Sequence, residues 1–238
     1  MVPTGEASSA QARIRPRLFG VAELDNVLAD GGVAPGQTHV IEPAAREGAA
    51  GADAAAVRRD GLAAEAFALG FCLRSGRPAA WLARPADLLE PSLWDTQAPA
   101  VAAATLVRRI ETAWTGRAPV APQALAGAGC LVAVLDMRRA ARLEPALRLA
   151  RALARRGMTA ALLALDAEAM AARLCLAATV WRVGAADEPG ETWLVELARE
   201  DRVRRVCVRA CDASGRLAPA PRLQAPVAKE LTRRLARR

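Results

Sequence analysis

Between Glu42 and Asp53 the chain reads Glu-Pro-Ala-Ala-Arg-Glu-Gly-Ala-Ala-Gly-Ala-Asp. The stretch follows an apolar strand pattern and precedes a helical one, the setting of a phosphate-binding loop. Such a loop has the form G-x-x-x-x-G-K-[ST]: its backbone N–H groups wrap the phosphates, its Lys neutralises them, and its hydroxyl holds Mg²⁺. Here Gly48 and Gly51 are three apart, neither is followed by Lys, and Asp53 carries a charge that repels phosphate. The one lysine of the chain, Lys229, lies far away in sequence. Gly48 and Gly51, with Asp136 at the end of the strongest apolar run, are therefore read as a degenerate nucleotide site. Asp136 has two readings, a metal-holding carboxylate or a cap for a turn or helix. With no Lys or hydroxyl to complete a site, the cap is preferred. Glu42 is read as a loop residue just past the first strand.

The other chemistry-bearing residues do not combine. His39 is the single histidine, inside a strand pattern with no Ser or Cys nucleophile near it, and is expected in the core. No G-x-S-x-G, H-E-x-x-H or CxxC motif occurs, and the Glu200-Asp201 pair falls in a predicted turn. Neither acid–base nor nucleophilic catalysis is supported. Cys72, Cys130, Cys175, Cys207 and Cys211 are odd in number and sit mostly in apolar runs, without metal-ligand spacing. Reduced core thiols in a cytoplasmic protein are expected. No catalytic residue, metal or cofactor is assigned.

Basic residues suggest a different activity. The net charge is +8, and residues 138–156 contribute +6 of it, seven Arg against Glu144. Residues 229–238 contribute a further +4, five basic residues against Glu230. A chain close to neutral elsewhere, with two basic segments, suits an anionic partner such as nucleic acid. Arg148, Arg151 and Arg155 share one face of a predicted helix, a strip able to follow a phosphate backbone. No aromatics interleave with it, so binding there would be independent of base sequence. The competing reading is a solvated helix face. In the C-terminal segment, Leu231, Arg234 and Leu235 fall on a short basic helix pattern, marginal alone in water and suited to ordering on a partner.

The elements that must position these residues alternate. A flexible arm is expected over 1–17. The strand Thr38–Ile41 precedes a helix over 53–75 whose Val57, Leu62, Ala66 and Leu69 are spaced for one buried face. The strand Pro78–Ala83 precedes a helix over 101–115. The run Cys130–Leu135 is apolar throughout, as for a strand covered on both faces. A helix over 144–156 ends at the cap Gly157, and the strand Thr159–Leu165, a helix over 167–178 and the strand Val180–Val183 follow. Alternation at 193–199 and again at 203–210, across the polar Glu200-Asp201, predicts an antiparallel hairpin. The expected class is α/β, a mainly parallel sheet flanked by helices with a C-terminal antiparallel hairpin, over 18–212. Pro219, Pro221 and Pro226 make 213–238 a linker and tail. The uncharged run Ala118–Leu135 is broken by Pro119, Pro122, Gly127 and Gly129, so no membrane span is expected.

The entrance Phe19-Gly20-Val21-Ala22-Glu23-Leu24-Asp25, with Gly31-Gly32 and Pro35-Gly36, resembles that of RecA-type ATPase cores. Together with Leu131–Asp136, Ala178-Thr179-Val180-Trp181-Arg182-Val183 and Trp193-Leu194-Val195-Glu196-Leu197, it resembles the ImuA family of bacterial inducible mutagenesis proteins over roughly residues 15–217. The resemblance implies a RecA-like fold that departs from the ATPase motifs, in keeping with the missing Lys. It implies an accessory role in SOS mutagenesis, in damage-induced translesion DNA synthesis. The implied partners are ImuB, an error-prone C-family DNA polymerase and RecA, with DNA as a further contact. Two other classes stay open: an active RecA/KaiC-like ATPase, favoured by magnesium-dependent turnover, and a SulA-type division inhibitor, favoured by filamentation.

Overall fold

The computed structural model describes residues 18–28, 31–44, 53–74, 79–82, 107–109, 130–135, 152, 154–164, 178–187, 191–199, 202–212 and 215–220, with 79–82, 107–109 and 131–135 described through their backbone. A short helix α1 (Ala22–Asp25) leads to strand β1 (Thr38–Pro43), and a long helix α2 (Ala54–Arg74) follows. Then come β2 (Ala79–Leu82), β3 (Val107–Arg109), β4 (Cys130–Leu135), β5 (Thr159–Ala164) and β6 (Thr179–Ala185). The described body closes with β7 (Thr192–Arg199), β8 (Arg202–Arg209) and β9 (Ala218–Pro219). The class is α/β, an open mixed sheet packed against helix.

The nine strands among the described residues belong to one sheet in the order β3-β2-β4-β5-β1-β6-β7-β8-β9. From β3 to β6 every pairing is parallel. From β6 onward every pairing is antiparallel. β5, inside the parallel part of the sheet, carries the apolar composition that burial on both faces demands, and it is buried at all six positions. Where valines are interspersed with arginines, as in β8, the strand is exposed over its first half.

Helix α2 packs across β1, β4, β5 and β6. Its predicted buried face is rotated from the real one: Val57, Leu62 and Ala66 are only half-buried, while Ala63, Ala64, Phe67 and Phe71 are buried. The alanines let the helix axis come close to the sheet, and the two Phe, one turn apart, fill the space that remains. The back of the helix is covered as well. A Cβ on Gly70 would sit 2.6 Å from Cys211 Sγ, so the glycine lets Cys211 pack closely there. Burial on two sides explains why an amphipathic template misplaces the face.

The core between α2 and the sheet is aromatic. All three phenylalanines of the chain, Phe19, Phe67 and Phe71, meet Trp181 at ring-centroid distances of 4.7, 5.3 and 6.0 Å. Trp193 joins through Phe67 at 6.2 Å.

Two boundaries differ from expectation. Residues 107–109, placed by periodicity within a helix, form the edge strand β3 paired to β2. A helical spacing of Leu106, Ile110 and Trp114 did not outweigh the pairing that an open sheet edge offers three residues between them. The folded body also runs past 212: Leu217 is 4% exposed, and β9 pairs with β8. Prolines marked this stretch as a linker, yet Pro219 faces Val208 at a position needing no donor, the one way an edge strand accepts proline. The 1–17 arm, the loop at 45–52 and the helix at 167–177 lie outside the described residues, and so does the chain after 220.

Candidate functional site

The entrance motif proves to be a clamp. The carboxylate of Asp25, itself buried, accepts the backbone N–H of Phe19 at 2.7 Å and of Gly20 at 3.1 Å. Phe19 in turn accepts the N–H of Leu217 at 2.7 Å through its carbonyl. Gly20 has φ +91°, and a Cβ there would lie 2.9 Å from the Leu217 carbonyl oxygen. The Pro35-Gly36 turn obeys the same logic: Gly36 has φ +79° and would bring a Cβ to 2.9 Å from the Ala154 carbonyl oxygen. Residue types that mark this motif in sequence are thus required by backbone contact.

Strand β1 is followed in the chain by helix α2, the order of elements around a phosphate site in nucleotide-binding proteins. The carbonyl of Val183 accepts the Ala44 N–H at 2.8 Å, which keeps the chain in the sheet as far as Ala44. At the far side of the loop, Asp53 caps α2: its Oδ1 accepts the N–H of Ala55 at 3.2 Å, and its carbonyl accepts that of Val57 at 2.9 Å. A helix N-terminus attracts an anion because its first N–H groups are unbonded and the dipole is positive there. Here the chain supplies its own carboxylate. Val134, Leu163 and Ile41 lie at one level across β4, β5 and β1, so the carboxyl ends of β4 and β1 share one edge of the sheet with a single strand between them.

On the face of β1 that carries Val40, four charged residues line up across neighbouring strands. Glu42 is opposite Arg182, Arg182 opposite Glu196, and Glu196 opposite Arg205. The bonds follow the register: Arg182 Nε to Glu42 Oε2 at 3.2 Å, Arg182 Nη1 to Glu196 Oε1 at 3.0 Å, and Arg205 Nε to Glu196 Oε2 at 2.7 Å. Glu42 is therefore inside β1 and 4% exposed, not a loop residue. Two acids and two bases cancel, so this ladder offers no net charge to a phosphate. We expect Glu196→Ala to lower stability by about 1–2 kcal/mol, less than a wholly buried pair because solvent reaches both guanidinium groups. A double-mutant cycle with Arg205→Ala in urea should show coupling, and additive losses would deny it.

Behind the aromatic core lie the remaining titratable groups. His39 is buried, and its Nδ1 is 2.6 Å from Thr179 Oγ1. Burial first, and then the nearby Arg74 charge, lower its pKa to about 3. Arg74 stands over the Phe19 and Phe71 rings at 3.9 and 4.8 Å from their centroids and donates to the Gly215 carbonyl. Burial lowers its pKa too. The Cys72 thiol is pushed up by its hydrogen bond with Cys130 and then by burial. Burial raises Cys211 to about 11 against the pull of Arg74. These groups keep their protons at neutral pH, except His39, which stays neutral, so none is a ready nucleophile. Among the described residues, no group of three metal-ligating side chains is assembled.

Of the residues read in sequence as a nucleic-acid strip, a partner-binding tail or a degenerate nucleotide site, Arg155 is the one among the described residues. It is exposed, in the turn after the helical residue Ala154 and before Gly157, whose φ of +75° suits a cap. Gly48, Gly51, Asp136, Arg148, Arg151, Leu231, Arg234 and Leu235 lie outside the described residues. The charged ladder went unrecognised. Its signal was available: an acid in the middle of Trp193–Leu197 and a base in the middle of Val180–Val183, each where a buried strand otherwise holds apolar residues. No protein-family model matches the chain, and no curated protein matches it. Among the described residues, no helix is long and apolar enough to cross a membrane.

Proposed function

We propose that this chain is a non-catalytic accessory protein of damage-induced, error-prone translesion DNA synthesis, of the ImuA kind, built on a RecA-like core with a C-terminal antiparallel hairpin and a degenerate nucleotide site. It works in the cytoplasm through contacts with ImuB, an error-prone C-family DNA polymerase and RecA, and through DNA.

The observation that carries this reading is the capped helix. Where a RecA-type ATPase would present the bare N-terminus of a helix to phosphate, α2 presents Asp53 bonded to Ala55. The stretch before it has no Lys to offset that charge. Phosphoryl transfer depends on electrostatic stabilisation, and a fixed carboxylate at this point opposes it. The strand order supports a RecA-like core: β1 lies inside the sheet between parallel neighbours, and the antiparallel strands extend one edge. The specific role rests on the entrance, central-strand and late-strand motifs of the sequence.

The test has two arms. The purified chain should show no magnesium-dependent ATP turnover above about one per minute, well under the usual range for enzymes. It should also retain ImuB, the polymerase and RecA in pull-downs, and its deletion should abolish damage-induced mutagenesis. Turnover that survives purification would restore the ATPase reading. Normal induced mutagenesis without the gene would remove the translesion role.

A further inference from the structure

We propose that the outer edge of β8, over Arg202–Val206, is a docking edge for an extended acidic segment of another protein. The argument starts from which backbone groups face outward. In an antiparallel strand, successive residues turn their N–H and C=O to opposite edges. Ala210 donates toward the β7 side, to the Glu191 carbonyl at 2.7 Å, while the Cys207 carbonyl accepts from Ala220 on the β9 side at 3.2 Å. Odd-numbered residues of β8 therefore address the outer edge. β9 reaches only Val208 and Arg209 in register. Among the described residues no strand lies beyond Val203 and Arg205, both exposed, to pair with their outward main-chain groups.

An open edge of this kind is a template for another strand. The side chains around it define what it selects. Arg202, Val203, Arg204 and Arg205 are all exposed. Register places Arg202 and Arg204 on the α2 face of the sheet and Val203 on the opposite one. Val203, at 48% exposure, is one of two large hydrophobic residues left open among the described residues. Arg205 is already engaged by Glu196. An incoming strand thus meets two free guanidinium groups on one face and an apolar side chain on the other. The complementary segment alternates acidic and apolar residues.

Charge excludes the other occupants. A second copy of β8 would set arginine against arginine. The chain's own ends carry the same sign, Arg13, Arg15 and Arg17 before the body, and Lys229, Arg233, Arg234, Arg237 and Arg238 after it. The alternative that the arginines only guard the edge against aggregation predicts no acidic strand at all.

The test uses the full chain and a fluorescein-labelled peptide of alternating Glu and Val, with a single-stranded oligonucleotide of equal charge beside it. The peptide should bind, and added salt should weaken it. Hydrogen exchange should slow at the Val203 and Arg205 amides in the complex, while Arg204 and Val206, already bonded to β7, stay unchanged. Val203→Pro removes an outward N–H that the fold does not use. It should weaken the peptide roughly tenfold, as the loss of one or two main-chain hydrogen bonds would. Exchange at Val203 and Arg205 unaltered by saturating peptide would overturn the proposal in the unmodified protein. Binding of the oligonucleotide in preference to the peptide would overturn it too, as would no binding of either.

Discussion

Replacing Trp181 by Ala should cost about 3–5 kcal/mol of folding stability, the range for emptying a fully buried aromatic site. Trp181 is the largest of the wholly enclosed side chains, with no exposure, at the centre of β6. Its ring is within 6.0 Å of all three phenylalanines, so the truncation removes contacts from α2 and from the entrance segment together. These come from two separate stretches of chain, and neither alone can move in to close the cavity. The indole N–H has no acceptor among the described residues. Trp181→Phe should therefore lose packing volume without orphaning a partner, and should retain most of the stability. Urea denaturation followed by circular dichroism measures both. A loss under about 1 kcal/mol for the Ala variant would mean that the core collapses freely around the gap.

Acid should destabilise the protein earlier than its carboxylates alone would. His39, the one histidine, has a pKa near 3 in the fold against about 6.5 when exposed. The unfolded chain therefore takes up a proton below pH 6.5 that the folded chain refuses until about pH 3. Stability from this group is complete above 6.5 and falls as pH drops through that window. The slope is about 1.4 kcal/mol per unit, so about 2 kcal/mol should be gone by pH 5. Thr179, Phe71 and Arg74 surround the ring, and none offers it a compensating negative charge. His39→Gln should flatten the slope between pH 7 and 5, above the range where most carboxylates titrate. In the unmodified protein, the lone imidazole resonance should not move over that range. A shift with a midpoint near 6.5 would show that solvent reaches the ring.

β4 and β5 were legible because their sequence is pure: Cys130–Leu135 and Thr159–Ala164 have no charged residue to suggest an outer face. β7 and β8 were legible through alternation of apolar and charged residues. What periodicity could not supply was context. α2 is covered on both sides, so its moment points to no single face, and β3 is a strand because β2 lay open beside it. Gly20, Gly36 and Gly70 look like loop or helix flaws until the atom each one admits is known. Asp53 and Glu42 show the limit at the candidate site. Sequence identified Asp53 as hostile to phosphate, but that it caps α2 depends on where the helix begins. Glu42 was set aside because its partner Arg182, which it shares with Glu196, is distant in sequence and adjacent only in register.

The bond from Leu217 to Phe19 joins the first and last segments of the folded body. A chain whose ends meet in this way is topologically close to a ring. The seam would need only a short bridge from Ala220 back to Leu18, and the break could move to the connection between β7 and β8 without altering the order of strands in the sheet. The body would then be a permutable cassette.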